Sequence, residues 1–444
     1  WFLWNTWPGL YFGFSGDDMM NTYLAWDVPS PRIVLANLTP FSEVYRPVGT
    51  AFYRILYTTA GFEPFPFRLA CYALMLLNIG ITYRFVKALT SSAEVAVLAA
   101  LIASYHPNLI DLYTNGGTVY DILCFTFFYA AVTIYITERR RAQRFRLSRT
   151  VLFLALCVLA LNSKEMSATL VAALWAYELV YSRPLLARRP VPLWVFTIAT
   201  PIAMFIKRGS QAFLNNPDYA LILSLDQFLL TTRTWMSQLL FLPETTLGST
   251  TAVAILVLPL LAGLVFRNKD LQFLGLLIVL LPLPVNFIHL RGFFVMYMPL
   301  AAWSACIAIP LVALRNRFTN ALPAQAALFA ASAAALFAAH SHDAYRSFEW
   351  ADPSQANNRE LHAALAEQCP NLPERSHILL RGDGFEKGYY DPLFVARLTF
   401  HSKTIDVERT KDAPERPLTP GRRYDCVLVY DDAGYVRDPS PKLP

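Results

Sequence analysis

Two adjacent carboxylates, Asp17 and Asp18, stand in the stretch FGFSGDDMMN, directly after a Trp-rich apolar opening. Neighbouring carboxylates partly withdrawn from water repel each other, which lifts one of them into the range of a general base. Such a pair suits taking the proton of an attacking hydroxyl. It equally suits a plainer role, because Ser15-Gly16 ahead of it makes a turn or a helix cap. Further along, Arg46, His106 with Asp111, Lys164 with Glu165, Lys207 with Arg208, and His289 with Arg291 each sit next to an apolar run. Charges at the ends of apolar helices are costly and often mark a site, with snorkelling to lipid headgroups as the other reading. Arg291 is squeezed into the short turn IHLRGFF, where its planar donor fork fits a phosphate. Lys207-Arg208 also reads as an interfacial anchor, Lys164-Glu165 as a mutually neutralised turn, and His106-Pro107 as the exit of a helix. His106 has no Cys or Glu partner at ligand spacing, so it makes no zinc site.

The elements that must position these residues follow from composition. The chain has 444 residues, 55% of them hydrophobic and 16% charged, with a mean hydropathy of +0.36. This reads as an all-α polytopic membrane protein. The net charge of +6 comes from Lys and Arg in short clusters between apolar runs, the pattern of cytoplasmic loops, so nucleic acid is set aside as a partner. Apolar windows at 65–86, 93–103, 119–136, 151–161, 167–180, 192–206, 252–266, 273–287, 293–314 and 321–339 are span candidates. The opening run over residues 1–14 is shorter than the roughly 20 residues a span needs, so a first helix truncated at its start is expected. The basic loops 138–149, 182–190 and 315–317 go inside. Residues 47–60 and 226–242 read as interfacial helices, the latter because a span there would put Arg267 and Lys269 outside. The count is then about eleven spans, with the acidic and basic site candidates gathered on the outer face.

Residues 1–340 thus form the membrane part. From about residue 341 the pattern becomes helix, strand, helix, strand, strand, which predicts a small α/β extramembrane domain over 341–444. Cys71, Cys124, Cys157 and Cys306 fall in apolar runs, whereas Cys369 and Cys426 lie in the polar tail and can pair if that tail is outside the cytoplasm. Arg381-Gly382-Asp383 is a common tripeptide and is given no adhesion role.

The order GDD, then YRPVGTAFYRILYTTAGFEPFPFRLACYALMLLNIG, then YHPNLIDLYTNGGTVYDILCF, then LNSKEMSATL resembles polytopic glycosyltransferases of the GT-C superfold. Within it the sequence is similar to the transmembrane O-mannosyltransferases that carry tetratricopeptide repeats, and to their bacterial relatives. The likeness covers roughly the first 300 residues, and its weight lies in three short motifs occurring in order. No tetratricopeptide period follows the membrane part, so the resemblance implies no acceptor. It implies a catalytic role for Asp17 and Asp18 in the first outer loop and a polyprenyl-phosphate sugar as donor. Arg291, Lys207, Arg208 and Arg46 are then the candidates for the donor phosphate, with Lys164, Glu165, His106, Asp111 and Tyr297 in support. The expected acceptor is a hydroxyl of a protein, lipid or glycan, with an inverted product; the Ala- and Arg-rich composition points to a bacterial plasma membrane, and the basic loops put the site on its periplasmic side. A divalent Mg or Mn ion stays open, since only some branches of the superfold use one. Two other readings stand beside this one: a transporter or flippase, for which Pro282 and Pro284 breaking a helix speak, and a polysaccharide polymerase or ligase.

Overall fold

In the computed structural model of the chain, the described residues are 1–38, 44–141, 146–181, 197–198, 200, 220–317, 322–341, 344–388, 390–431 and 434–439. Among them, four helices are long and apolar enough to cross a membrane: Pro64–Thr90, Gly116–Arg140, Lys269–Asn286 and Phe293–Asn316. A fifth results if the bent pair Ala93–Ala103 and Pro107–Thr114 counts as one span. Among the described residues, four or five of the expected eleven spans are thus long and apolar enough. Leu147–Ser163 and Ser249–Val265 are apolar helices of only 17 residues each. At about 1.5 Å per residue they fall short of a hydrocarbon core about 30 Å thick. Window 192–206 lies almost wholly outside the described residues.

The ends of the spans differ in chemistry. Pro64 opens its helix at a position where a missing N–H costs nothing, and Ser91 closes it in the left-handed region at φ 59°. Beside that closing end, Arg140 donates to Leu89 O and Ser91 Oγ, Arg139 pairs with Glu178 at 2.6 Å, and Arg315 pairs with Glu94. Lys269 lies 5.8 Å over the ring of Tyr181, which donates to Asp270. The cations of 139–141, 269 and 315 thus collect at one end of the bundle, and the candidate site residues lie at the other.

The helix Leu225–Leu239 stays at the site end. Its Gln227 donates to Ile288 O and its Trp235 to Arg291 O, while Gln238 O accepts from Asn108. Pro47–Ala60 likewise packs across that end, with Tyr53 donating to Gly116 O (2.7 Å) and Tyr57 to Leu398 O (3.0 Å).

The polar tail folds as its pattern predicts, with one addition. Helix Ala344–Gln368 leads to β1 (His377–Arg381), helix Asp391–Thr399, β2 (Asp406–Arg409), β3 (Cys426–Asp431) and β4 (Gly434–Arg437). The sheet order is β2-β1-β3-β4, parallel except for the β3–β4 hairpin. The addition is β4, which pairs antiparallel with β3. Asp383 of the Arg-Gly-Asp tripeptide is buried and held by both arms of Arg409 at 2.7 and 2.9 Å, so it is core, not display. Cys369 and Cys426 form a disulfide that ties the end of helix Ala344–Gln368 to β3. Replacing both by Ser is expected to cost about 2–4 kcal/mol by freeing the unfolded chain, seen as earlier chemical unfolding of this region alone.

Candidate active site

The GDD turn is built from its caps upward. Ser15 is the N-cap of helix Gly16–Asp27: its Oγ accepts from Asp18 N (3.2 Å), and its own N donates to Asp18 Oδ2 (3.0 Å). This reciprocal cap satisfies two donors that a helix start otherwise leaves open. Arg68 reaches in from the first turns of Pro64–Thr90, pairing with Asp18 at 2.8 Å and donating to Gly13 O. Both Asp18 and Arg68 are buried, at 1% and 2% exposure. Asp18 Oδ2 thus holds the turn, while its Oδ1 has no hydrogen-bond partner.

Asp17, one position earlier, turns outward and is exposed along one edge. Asn115 hydrogen-bonds its carboxylate from the turn that follows Ile110–Thr114. Asn115 Oδ1 also accepts from Gly117 N and Ser15 Oγ, each at 2.8 Å, so one amide fastens two loops. The loops touch so closely that a Cβ on Gly116 would stand 2.1 Å from Asp18 Oδ1, and one on Gly117 2.6 Å from Asp17 Cβ. Partial burial raises the pKa of Asp17, the charge of Asp18 adds to this, and Asn115, Arg291 and Arg46 pull it back. The result is a carboxylate more basic than usual with two guanidinium groups acting on it.

The cations have specific partners. Arg46, in the left-handed region at φ 43°, binds Glu165 through Nη2 at 2.7 Å and Nε at 3.2 Å. Its guanidinium also stacks 5.0 Å from the ring centre of Tyr120. Lys164 binds both oxygens of Asp121 at 2.6 Å. Lys164 and Glu165 therefore do not neutralise each other, as a lone turn would; each answers a charge from another element. Asp17 and Asp121 both lie within electrostatic reach of Asp111, and Gly292 next to Arg291 comes close enough that a Cβ would meet Asp111 Oδ2 at 3.1 Å.

Of the residues expected from sequence, Asp17, Arg46, Asp111, Lys164, Glu165 and Arg291 converge. His106 does not join them as a free group: it is buried between Phe241 and Phe293, with ring centres 4.5 and 4.8 Å away. Tyr297 is likewise core, its hydroxyl accepting from Asn78 at 3.2 Å. Lys207 and Arg208 lie outside the described residues. Arg68, Asp121, Asn115 and, from the tail, Asp391 are site components that motif spacing does not reveal. For Arg68 and Asp121 a signal exists, since each is a lone charge inside an apolar run. Among the described residues no group of three or more His, Cys, Asp or Glu side chains is placed to hold a metal ion.

Apolar helices with a charged, partly buried site at one end define an integral membrane protein. Residues 44–206 match the family described as dolichyl-phosphate-mannose-protein mannosyltransferase. The matched stretch carries Arg46, Asp111, Asp121, Lys164 and Glu165; Asp17 precedes it and Arg291 follows it. Comparison with curated proteins gives no match.

Proposed function

We propose that the protein is a GT-C-type glycosyltransferase that moves a sugar from a polyprenyl-phosphate donor to an acceptor hydroxyl, with inversion. The observation that carries this reading is Asp17, an accessible carboxylate acted on by Arg46 and Arg291 beside a family-matched segment. In the reaction, Asp17 accepts the acceptor's proton while that oxygen bonds to the anomeric carbon from the face opposite the phosphate. The bond from that carbon to the phosphate oxygen breaks, and the lipid phosphate leaves with its electron pair. Such a leaving group is already stable as an anion and needs cations more than acid help. Arg291 is the group for that charge. Arg46, fixed by Glu165 and Tyr120, and Lys164, fixed by Asp121, set the potential around it. Asp18 is reassigned from base to scaffold.

The collection of cations at the opposite end supports placing the site on the outer face, and the change of pattern near residue 341 supports a separate domain from there on. The acceptor is a protein, lipid or glycan hydroxyl, and a bacterial plasma membrane is the setting the reading favours. The test is sugar transfer or release from a panel of radiolabelled polyprenyl-phosphate monosaccharides by the purified full chain. One donor is expected to be consumed in an Asp17-dependent manner; if Asp17→Asn consumes donor at the native rate, the reading is lost. In the same assay Arg291→Ala is expected to lower turnover by about 10²–10³-fold, the usual cost of removing one group that meets developing negative charge. Unchanged turnover would move the phosphate site elsewhere.

A further inference from the structure

The α/β region does more than sit above the membrane part. Helix Asp391–Thr399 begins at the back of the GDD turn, where the Asp391 carboxylate presses so close to Gly16 that a Cβ there would lie 2.6 Å from Oδ1. Asn358, from helix Ala344–Gln368, joins the two by donating to Phe14 O (2.9 Å) and to Asp391 Oδ2 (3.1 Å). One helical turn earlier, Gln355 donates to Thr114 O at 3.0 Å, and its backbone oxygen is 2.9 Å from where a Gly13 Cβ would stand. The two loops that carry Asp17 and Asn115 are thus clasped from behind by three side chains of the tail. Asp391 is 1% exposed, and its Oδ1 has no hydrogen-bond partner. A buried carboxylate with an unsatisfied oxygen is costly to keep charged, and unlike Asp18, Asp391 has no ion pair within 4 Å among the described residues.

We propose that Asp391 is a positioning residue for Asp17: it backs the Gly16-Asp17 peptide and, through its own charge, sets how strongly Asp17 holds the proton it takes. This rests on the glycosyltransferase reading above. The groups facing Asp391 are Asn358, Asp17, Arg409 and the neighbouring Tyr390. Those facing Asp17 are Asp18, Asn115, Arg291 and Arg46, with Tyr120 and Asp111 also in reach. Burial lifts Asp391 to about 6; the bond from Asn358 lowers it, the charge of Asp17 raises it and Arg409 lowers it. The two carboxyls therefore lose their protons in two coupled steps. The charge of each opposes ionisation of the other, so an ionised Asp391 makes Asp17 the stronger base.

The sign of the effect is fixed. A general base works only when deprotonated, so rate falls as pH drops, and the native acid limb is expected to include an inflection at about 6 from Asp391. Asp391→Asn removes that step and should move the limb down by about half a unit or more, the size of one nearby charge. Asn358→Ser removes a donor to the ionised form and should move the limb up. A merely structural clasp predicts lower rates in both variants with no opposed shifts.

The experiment is the pH–rate profile of purified full-length protein, native and both variants, with the donor found to turn over. Opposed shifts support the assignment. Limbs that stay in place, with turnover still dependent on Asp17, overturn it while leaving the transferase reading intact. Absence of Asp17-dependent turnover in the native protein instead removes the underlying reading. Should Asp391→Asn fail to fold, the upward shift in Asn358→Ser alone decides.

Discussion

Asp17→Asn is expected to lower turnover by about 10²–10⁴-fold, the usual contribution of a positioned general base, while thermal unfolding stays close to native. The substitution keeps the size and the contact with Asn115 and removes only the ability to take a proton. Asp17 lies at the edge of its turn, and surface changes of this kind generally move stability by less than about 0.5 kcal/mol. The matched control is Asp18→Asn, one residue away and identical in chemistry. Because Asp18 holds Ser15 and Arg68, that change should lower stability and activity together. Rates and melting measured side by side on the two variants separate base from scaffold. If Asp18→Asn loses turnover with its melting unchanged while Asp17→Asn retains it, the two roles are reversed.

Arg68→Met is expected to destabilise the protein by about 3–5 kcal/mol, since it leaves the Asp18 carboxylate buried without its counter-charge. Arg68 also donates to Gly13 O, so the turn loses its anchor as well. Removing both charges in Arg68→Met with Asp18→Asn should return part of the loss, because a buried ion pair costs far less to delete whole than to break. Chemical unfolding of the two single variants and the double variant gives the coupling. Additive losses would mean that Arg68 and Asp18 act independently, contrary to their 2.8 Å contact.

The charged residues that converge were legible from sequence because hydropathy and basic loops assign sides without any knowledge of packing. Arg46, Asp111, Lys164, Glu165 and Arg291 were found in that way. Their pairing was not legible: Arg46 meets Glu165 across 119 positions, a separation that no local pattern encodes. For the same reason Lys164 and Glu165 were readable as a self-neutralised pair when each belongs to another element. The distinction between Asp17 and Asp18 depends on which way a capping box turns two neighbouring side chains. His106 and Tyr297 looked chemical because of residue type, but aromatic neighbours and an amide absorb them. Apolar windows read span number without length or bends: Ala93–Ala103 has 11 residues and reaches span length only together with Pro107–Thr114, across a 63° bend. The tail's alternation read well because each short element is bounded by turn residues, whereas the place where Asp391 lands is a tertiary fact.

The clasp by Asn358 has a temporal side. Phe14 and Asn358 are 344 positions apart, so the GDD turn meets its backing only after nearly the whole membrane part has been synthesised and inserted. Contacts this distant in sequence form late, after the loop-closure entropy has been overcome. A growing chain that already displays Asp17, Arg46 and Lys164 thus lacks the contacts behind Asp17 until it has closed on its own beginning.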